Sequence, residues 1–138
     1  MNHHDHFFKA TFSIRENAVD FVRHALSPEL VEQIDFKTLA IEKGSHVDTE
    51  LAENFSDTVY TCLFSGIRIK IALLFEHKSS PDNDLPFQLH RYMGNLWENS
   101  IKQRQPRMPV IPVVLYHGWK PWTPCSLRTR FKNLPDDI

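Results

Sequence analysis

Asp57, Glu76 and Lys78 are two acids and an ammonium set around a single turn of chain. The segment opens Ser56-Asp57-Thr58-Val59-Tyr60, turns near Ser65-Gly66, and returns as Ile67 to Phe75 before Glu76-His77-Lys78. A glycine-containing turn between β-branched and aromatic runs predicts a β-hairpin. With Ser65-Gly66 as a two-residue turn, Phe64 faces Ile67 and Asp57 faces Leu74. Side chains alternate across a sheet, so Asp57, Leu74, Glu76 and Lys78 share one face. Asp57 and Glu76 are then diagonal neighbours, roughly 7–8 Å apart at Cα. Carboxylates that close repel unless a cation sits between them. The pattern therefore points to a divalent metal, with Lys78 on the same face to meet an anion. The opposite face, from Tyr60 and Cys62 to Leu73 and Phe75, is a core surface. A slip of one residue would send Asp57 to that other face. The plain alternative is a strand-start cap at Asp57 and a surface ion pair between Glu76 and Lys78, which would contribute about 0–1 kcal/mol.

The elements that must position these residues follow from periodicity. Arg15 to Leu26 predicts a helix with Ala18, Phe21, Val22 and Ala25 along one stripe, stopped by Ser27-Pro28. Pro28 to Gln33 adds a short helical turn, and Phe36 to Ile41 a first strand ended by Lys43-Gly44-Ser45. Thr49 to Phe55 is a polar link. After the loop Ser79 to Asp84, a long helix begins with Asp84 as its N-cap and Pro86 in its first turn. Leu89, Tyr92, Met93, Leu96, Trp97 and Ile101 form its apolar stripe. Val110 to Tyr116 reads as a strand buried on both faces, with Pro112 near its start. Strand, helix and strand in that order make a βαβ unit, so the last strand should run parallel to the Glu76 strand. The order is α-β-β-β-α-β: an α/β domain on a four-stranded mixed sheet flanked by helices. Residues 119–138 form an irregular tail. His3-His4-Asp5-His6 reads as a polar, partly mobile start rather than a metal site, while Phe7, Phe8 and Phe12 dock the segment after it.

At 138 residues, with 41% hydrophobic and 24% charged, the chain fits one domain with a real core. It has no bilayer-length apolar run and no signal-peptide pattern. Its two cysteines, Cys62 and Cys125, read as reduced thiols of a cytoplasmic protein. The net charge of −1 hides an asymmetry. Residues 29–57 carry eight acids against two lysines, and residues 101–138 carry seven Lys and Arg against two aspartates. Two solvated faces would account for this. A basic flank for a phosphate backbone beside a carboxylate-rich site is the sharper alternative.

Asp57 followed by Glu76-His77-Lys78 resembles the signature of the PD-(D/E)XK nuclease superfamily, whose restriction-endonuclease-like core has the same element order. Gln88-Leu89-His90-Arg91-Tyr92 matches a Gln-apolar-x-x-Tyr pattern in one branch of it. More narrowly, the chain resembles the recombination-promoting nucleases, also described as YhgA-like transposases. The matching residues are His4-Asp5 with Phe8-Lys9, Ser56-Asp57, Glu76 to Asp82, Arg91-Tyr92-Met93, and Pro109 to Gly118. Members of that family often carry glutamine where Lys78 stands, and they continue well past residue 138. The single domain 1–138 would then be the N-terminal part of a longer architecture.

The resemblance implies a Mg²⁺-dependent DNA endonuclease, Mn²⁺ being a substitute ion, with no small-molecule cofactor and with homodimer formation open. Asp57, Glu76 and the backbone carbonyl of His77 would hold the metal. Lys78 would orient water or meet developing charge. Gln88 would position water or phosphate, with Tyr92 bracing it one turn later. Glu16, with Asp20 behind it, is the expected acid from the first helix. The indoles of Trp119 and Trp122 offer surfaces for stacking on bases, and core packing is the alternative for them and for Tyr92. Two rival functions stand beside this one. The first is a catalytically inactive or truncated nucleic-acid- or protein-binding remnant. The second is an RNase H-like enzyme using three acids, against which Lys78 and the early helix argue.

Overall fold

Ser65 and Gly66 both adopt positive φ, 47° and 81°, as a two-residue hairpin turn of the tight mirror-image type requires. This pins the register: Phe64 pairs with Ile67, and Asp57 with Leu74, the pairing that the sequence predicts. A computed structural model of the chain describes residues 3–77, 84–116 and 131–137, with side chains from residue 6 onward. Strands β2 (Phe55–Phe64) and β3 (Ile67–Glu76) form the hairpin. Strand β1 (Ile34–Glu42) pairs antiparallel with β2, and β4 (Val110–Tyr116) pairs parallel with β3. The sheet order is β1-β2-β3-β4.

Helices cover both faces. On one face, α1 (His3–Phe12) and α2 (Arg15–Ala25) bury Phe8, Phe12, Ala18 and Val22 against Tyr60, Cys62, Ile71 and Leu73. On the other, α4 (Leu85–Lys102) lays Leu85, Tyr92 and Leu96 over Phe55, Val59, Ala72 and Leu74. The second face is the one that carries Asp57 and Glu76. Helix α3 (Pro28–Gln33) is the expected short turn, with the Ser27 hydroxyl accepting from the Leu30 amide at 3.4 Å. Residues 51–53 make one 3₁₀ turn in the polar link. No helix among the described residues is long and apolar enough to cross a membrane.

Four expectations need correction. The polar start is helical from His3, because Phe8 and Phe12, four residues apart, meet on one helix face and stack on the core. Their ring centroids are 5.1 Å apart, and Phe8 lies 5.4 Å from Phe75. Strand β4 is half-buried along its length rather than buried on both faces, since it closes the described sheet at an edge. That position also explains Pro112, which lacks the N–H that an inner strand would need. Strand β1 starts at Ile34 and shifts register between Asp35 and Ala40. There the Thr38 hydroxyl accepts from the Leu63 amide at 2.9 Å, replacing a ladder bond. Asp84 stands at the N-cap of α4, but its side chain makes no capping hydrogen bond.

Candidate active site

Asp57 is 1% exposed and Glu76 3%, both on the α4 side of the sheet. A buried carboxylate needs donors, and Asp57 has three. Its Oδ1 accepts from the Ser45 hydroxyl at 2.7 Å. Its Oδ2 accepts from the His46 amide at 2.8 Å and from the Tyr92 hydroxyl at 2.7 Å. Tyr92 is thus a core residue of α4 whose hydroxyl also holds Asp57. Burial, reinforced by the nearby Asp57 charge, pushes its phenol far above the ordinary range, so it stays a donor. Tyr92→Phe is expected to lower stability by about 1.5–3 kcal/mol, the range for a hydrogen bond to a charged group. Urea denaturation would measure this, and an unchanged midpoint would refute it.

The loop after β1 brings Ser45 and His46 to Asp57, and α4 holds that loop in place. Asp48 accepts from the Leu51 amide at 2.8 Å, from Arg91 Nε at 2.9 Å and from Asn95 Nδ2 at 2.8 Å. The Leu51 amide leads in keeping its carboxyl below the usual range, with Arg91 and Asn95 adding to the effect. Arg91 also reaches Glu50 at 2.8 Å. A second polar chain crosses the same sheet face. Lys70, 5% exposed on β3, spans β2 to reach Glu42 of β1 at 3.1 Å, and His46 Nε2 lies 3.8 Å from that carboxylate.

The other expected site residues are placed as follows. Glu76 pairs with Phe55, two positions along from the Asp57–Leu74 pair. His77 turns its ring to the opposite face, where Nε2 lies 2.8 Å from the Ser56 hydroxyl. Its main chain continues beside Glu76, with its amide donating to the Asn54 carbonyl at 2.8 Å. Gln88 is half-buried on α4, and its Oε1 has no hydrogen-bond partner among the described residues. It lines a cavity of about 360 Å³ with Glu50, Asp84, Phe87 and Arg91. Glu16 and Asp20 are exposed on α2, which packs on the opposite face, so the structure does not bring them to Asp57. Lys78, Trp119, Trp122 and Cys125 lie outside the described residues.

Ser45, His46, Glu42 and Lys70 are site neighbours that the sequence pattern does not reveal. His46 contributes a backbone amide, which leaves no residue-type signal. Lys70 does leave one, as a lysine within the otherwise apolar run Ile69 to Phe75.

A mixed sheet with helices on both faces, in this strand and helix order, defines an α/β domain of the restriction-endonuclease-like kind. Within that class, the family described as "Putative transposase, YhgA-like" matches residues 2–135, and the chain belongs to it. Recombination-promoting nuclease RpnC of Escherichia coli K12 is 30% identical over 83% of this chain and 39% of its own length. Recombination-promoting nuclease RpnD of Escherichia coli O157:H7 is 32% identical over 90% of this chain and 50% of its own. A K12 relative named as the inactive recombination-promoting nuclease-like protein RpnE is 30% identical over 90% of the chain and 42% of its own length. The chain thus spans half or less of these relatives. No solved structure matches it significantly.

Proposed function

We propose that this chain is the nuclease domain of a Mg²⁺-dependent DNA endonuclease of the recombination-promoting, PD-(D/E)XK type. Asp57 carries the proposal: a carboxylate buried to 1% exposure, oriented by three donors, on the same sheet face as buried Glu76. The names of the relatives support nuclease chemistry, and recombination points to DNA as the substrate.

The donor set fits the ion. Mg²⁺ takes one or two carboxylates and retains several waters. Among the described residues no group of three His, Cys, Asp or Glu side chains is placed to hold a metal, and the proposed site uses two carboxylates. A carboxylate has about four acceptor positions. Three of them on Asp57 are used, and Oδ1, with one donor, keeps one for an ion. Asp57, Glu76 and the His77 carbonyl would hold the metal. When bound, it supplies Lewis acidity toward the phosphate and acidifies water. The chain's own residues do the positioning. Tyr92 and the His46 amide fix Oδ2, which fixes the direction of Oδ1. Lys78 supplies a compact ammonium for the attacking water or the developing charge. Gln88 presents at the start of α4 an amide oxygen without a partner among the described residues, suited to positioning a water.

Purified protein is expected to nick supercoiled plasmid with Mg²⁺ and to stop when the ion is chelated. Glu76→Gln or Lys78→Ala should slow cutting by at least about 10²-fold, the scale for losing one group that stabilises transition-state charge. Equal cutting by wild type and variants would sink the proposal. The second reading is a non-catalytic binding remnant, favoured by the 30% identical relative that is named inactive. Calorimetry showing no uptake of Mg²⁺ or Mn²⁺ would support it.

A further inference from the structure

Strand β1 leaves the sheet at Glu42, which pairs with Val59, and the described β1–β2 ladder ends there. Residues 55–58 of β2 continue beyond it. Beside them lies a cavity of about 270 Å³ lined by Lys9 of α1, Ser13 just after that helix, Lys43 and Ser45 of the loop, and Glu42 and Asp57. Lys9 is half-buried and Lys43 exposed. Neither ammonium has an ion pair or hydrogen bond with a described residue. The Ser13 hydroxyl donates to the Ala10 carbonyl and that of Ser45 to Asp57, so the lysines are the cationic donors left for a ligand. Glu42 is already paired with Lys70. Ile41, Gly44 and Thr58 complete the wall, so the charged groups that remain are two cations without a described partner and one buried carboxylate.

A ligand for this cavity must be anionic toward the lysines while tolerating, or carrying a cation for, the carboxylate. A phosphodiester beside a divalent ion meets both demands. We propose that the notch is a phosphate subsite in which Lys9 and Lys43 hold a backbone phosphate of bound DNA beside Asp57. The inference rests on the nuclease proposal and extends it. The N-terminal helix then contributes a cation to the site, where the sequence suggested an acid from Glu16. Lys9 and Lys43 are positioning residues, and the subsite sets where along the strand the scissile bond lies.

The test is binding of a labelled duplex oligonucleotide by fluorescence anisotropy across a salt series, with a chelator present so that nothing is cut. Lys9→Ala and Lys43→Ala should each weaken binding and reduce the slope of log affinity against log salt by about one, the signature of one lost phosphate contact. Lys9→Arg should restore the slope. Circular dichroism checks that the variants fold. A wild-type slope in the Lys9→Ala/Lys43→Ala double variant overturns the subsite; if the wild type also cuts plasmid with Mg²⁺, the nuclease proposal survives that loss. Absence of both duplex binding and cutting by the wild type overturns both. Inorganic phosphate serves as the second probe. If it saturates the lysines and duplex does not displace it, the site takes free phosphate and the backbone assignment fails.

Discussion

Asp57→Asn is expected to leave the fold intact and to remove plasmid cutting, with a loss of at least about 10³-fold, roughly 4 kcal/mol of barrier at 1.36 kcal/mol per decade. The reason lies in how Asp57 is held. An asparagine amide oxygen placed at Oδ2 still accepts from the His46 amide and the Tyr92 hydroxyl, and the amide N–H₂ finds the Ser45 hydroxyl oxygen. All three partners stay satisfied while the negative charge that would bind Mg²⁺ is gone. Asp57→Ala differs. It strands the His46 amide and the buried Tyr92 hydroxyl, at about 1–3 kcal/mol for each donor left without a partner, while the exposed Ser45 hydroxyl turns to water. The alanine variant should therefore lose both activity and several degrees of melting temperature, and the asparagine variant only activity. Plasmid nicking and thermal melts on the two variants separate these effects. An active Asp57→Asn protein would remove Asp57 from the chemistry.

The second large effect is expected at Lys70, which touches no part of the proposed reaction. Breaking a fully buried ion pair by removing one partner costs about 3–5 kcal/mol. The Glu42 side chain is 26% exposed, so water recovers part of that, and about 2 kcal/mol is expected for Lys70→Ala. The consequence extends to the site. Glu42 ends β1, and the loop that follows it delivers Ser45 and His46 to Asp57. A frayed β1 end should slow cutting as well as lower stability. Pairing Lys70→Met with Glu42→Leu removes both charges and fills the space, so that double variant should recover most of the stability. Urea midpoints for the set would show whether the pair is coupled, and additive losses would refute the coupling.

The hairpin was legible in the sequence because its determinants are local. Ser65-Gly66 allows one tight turn, the turn fixes one register, and strand alternation then assigns Asp57 and Glu76 to a single face. The apolar stripe of α4 and the parallel β3–β4 pairing follow from rules of the same simple kind, helical spacing in one case and the strand-helix-strand order of a crossover in the other. What the sequence left open concerns long-range partners. Helix α1 is not legible in the sequence, because phenylalanines amid histidines promise little until Phe75 supplies the surface that Phe8 stacks on. Strand β4 read as fully buried because an apolar run looks the same in a central strand and at an edge. Tyr92 reads in the sequence as core or site, and the tertiary structure buries its ring on the α4 stripe while its hydroxyl donates to Asp57, since a phenol on an apolar stripe can still aim its hydroxyl at a carboxylate. By itself the sequence determined which residues could carry the chemistry and that two acids share a face. Only the tertiary structure decided how Asp57 is held, because its donors come from a loop eleven residues upstream and a helix 35 residues downstream, and backbone amides leave no mark in a sequence.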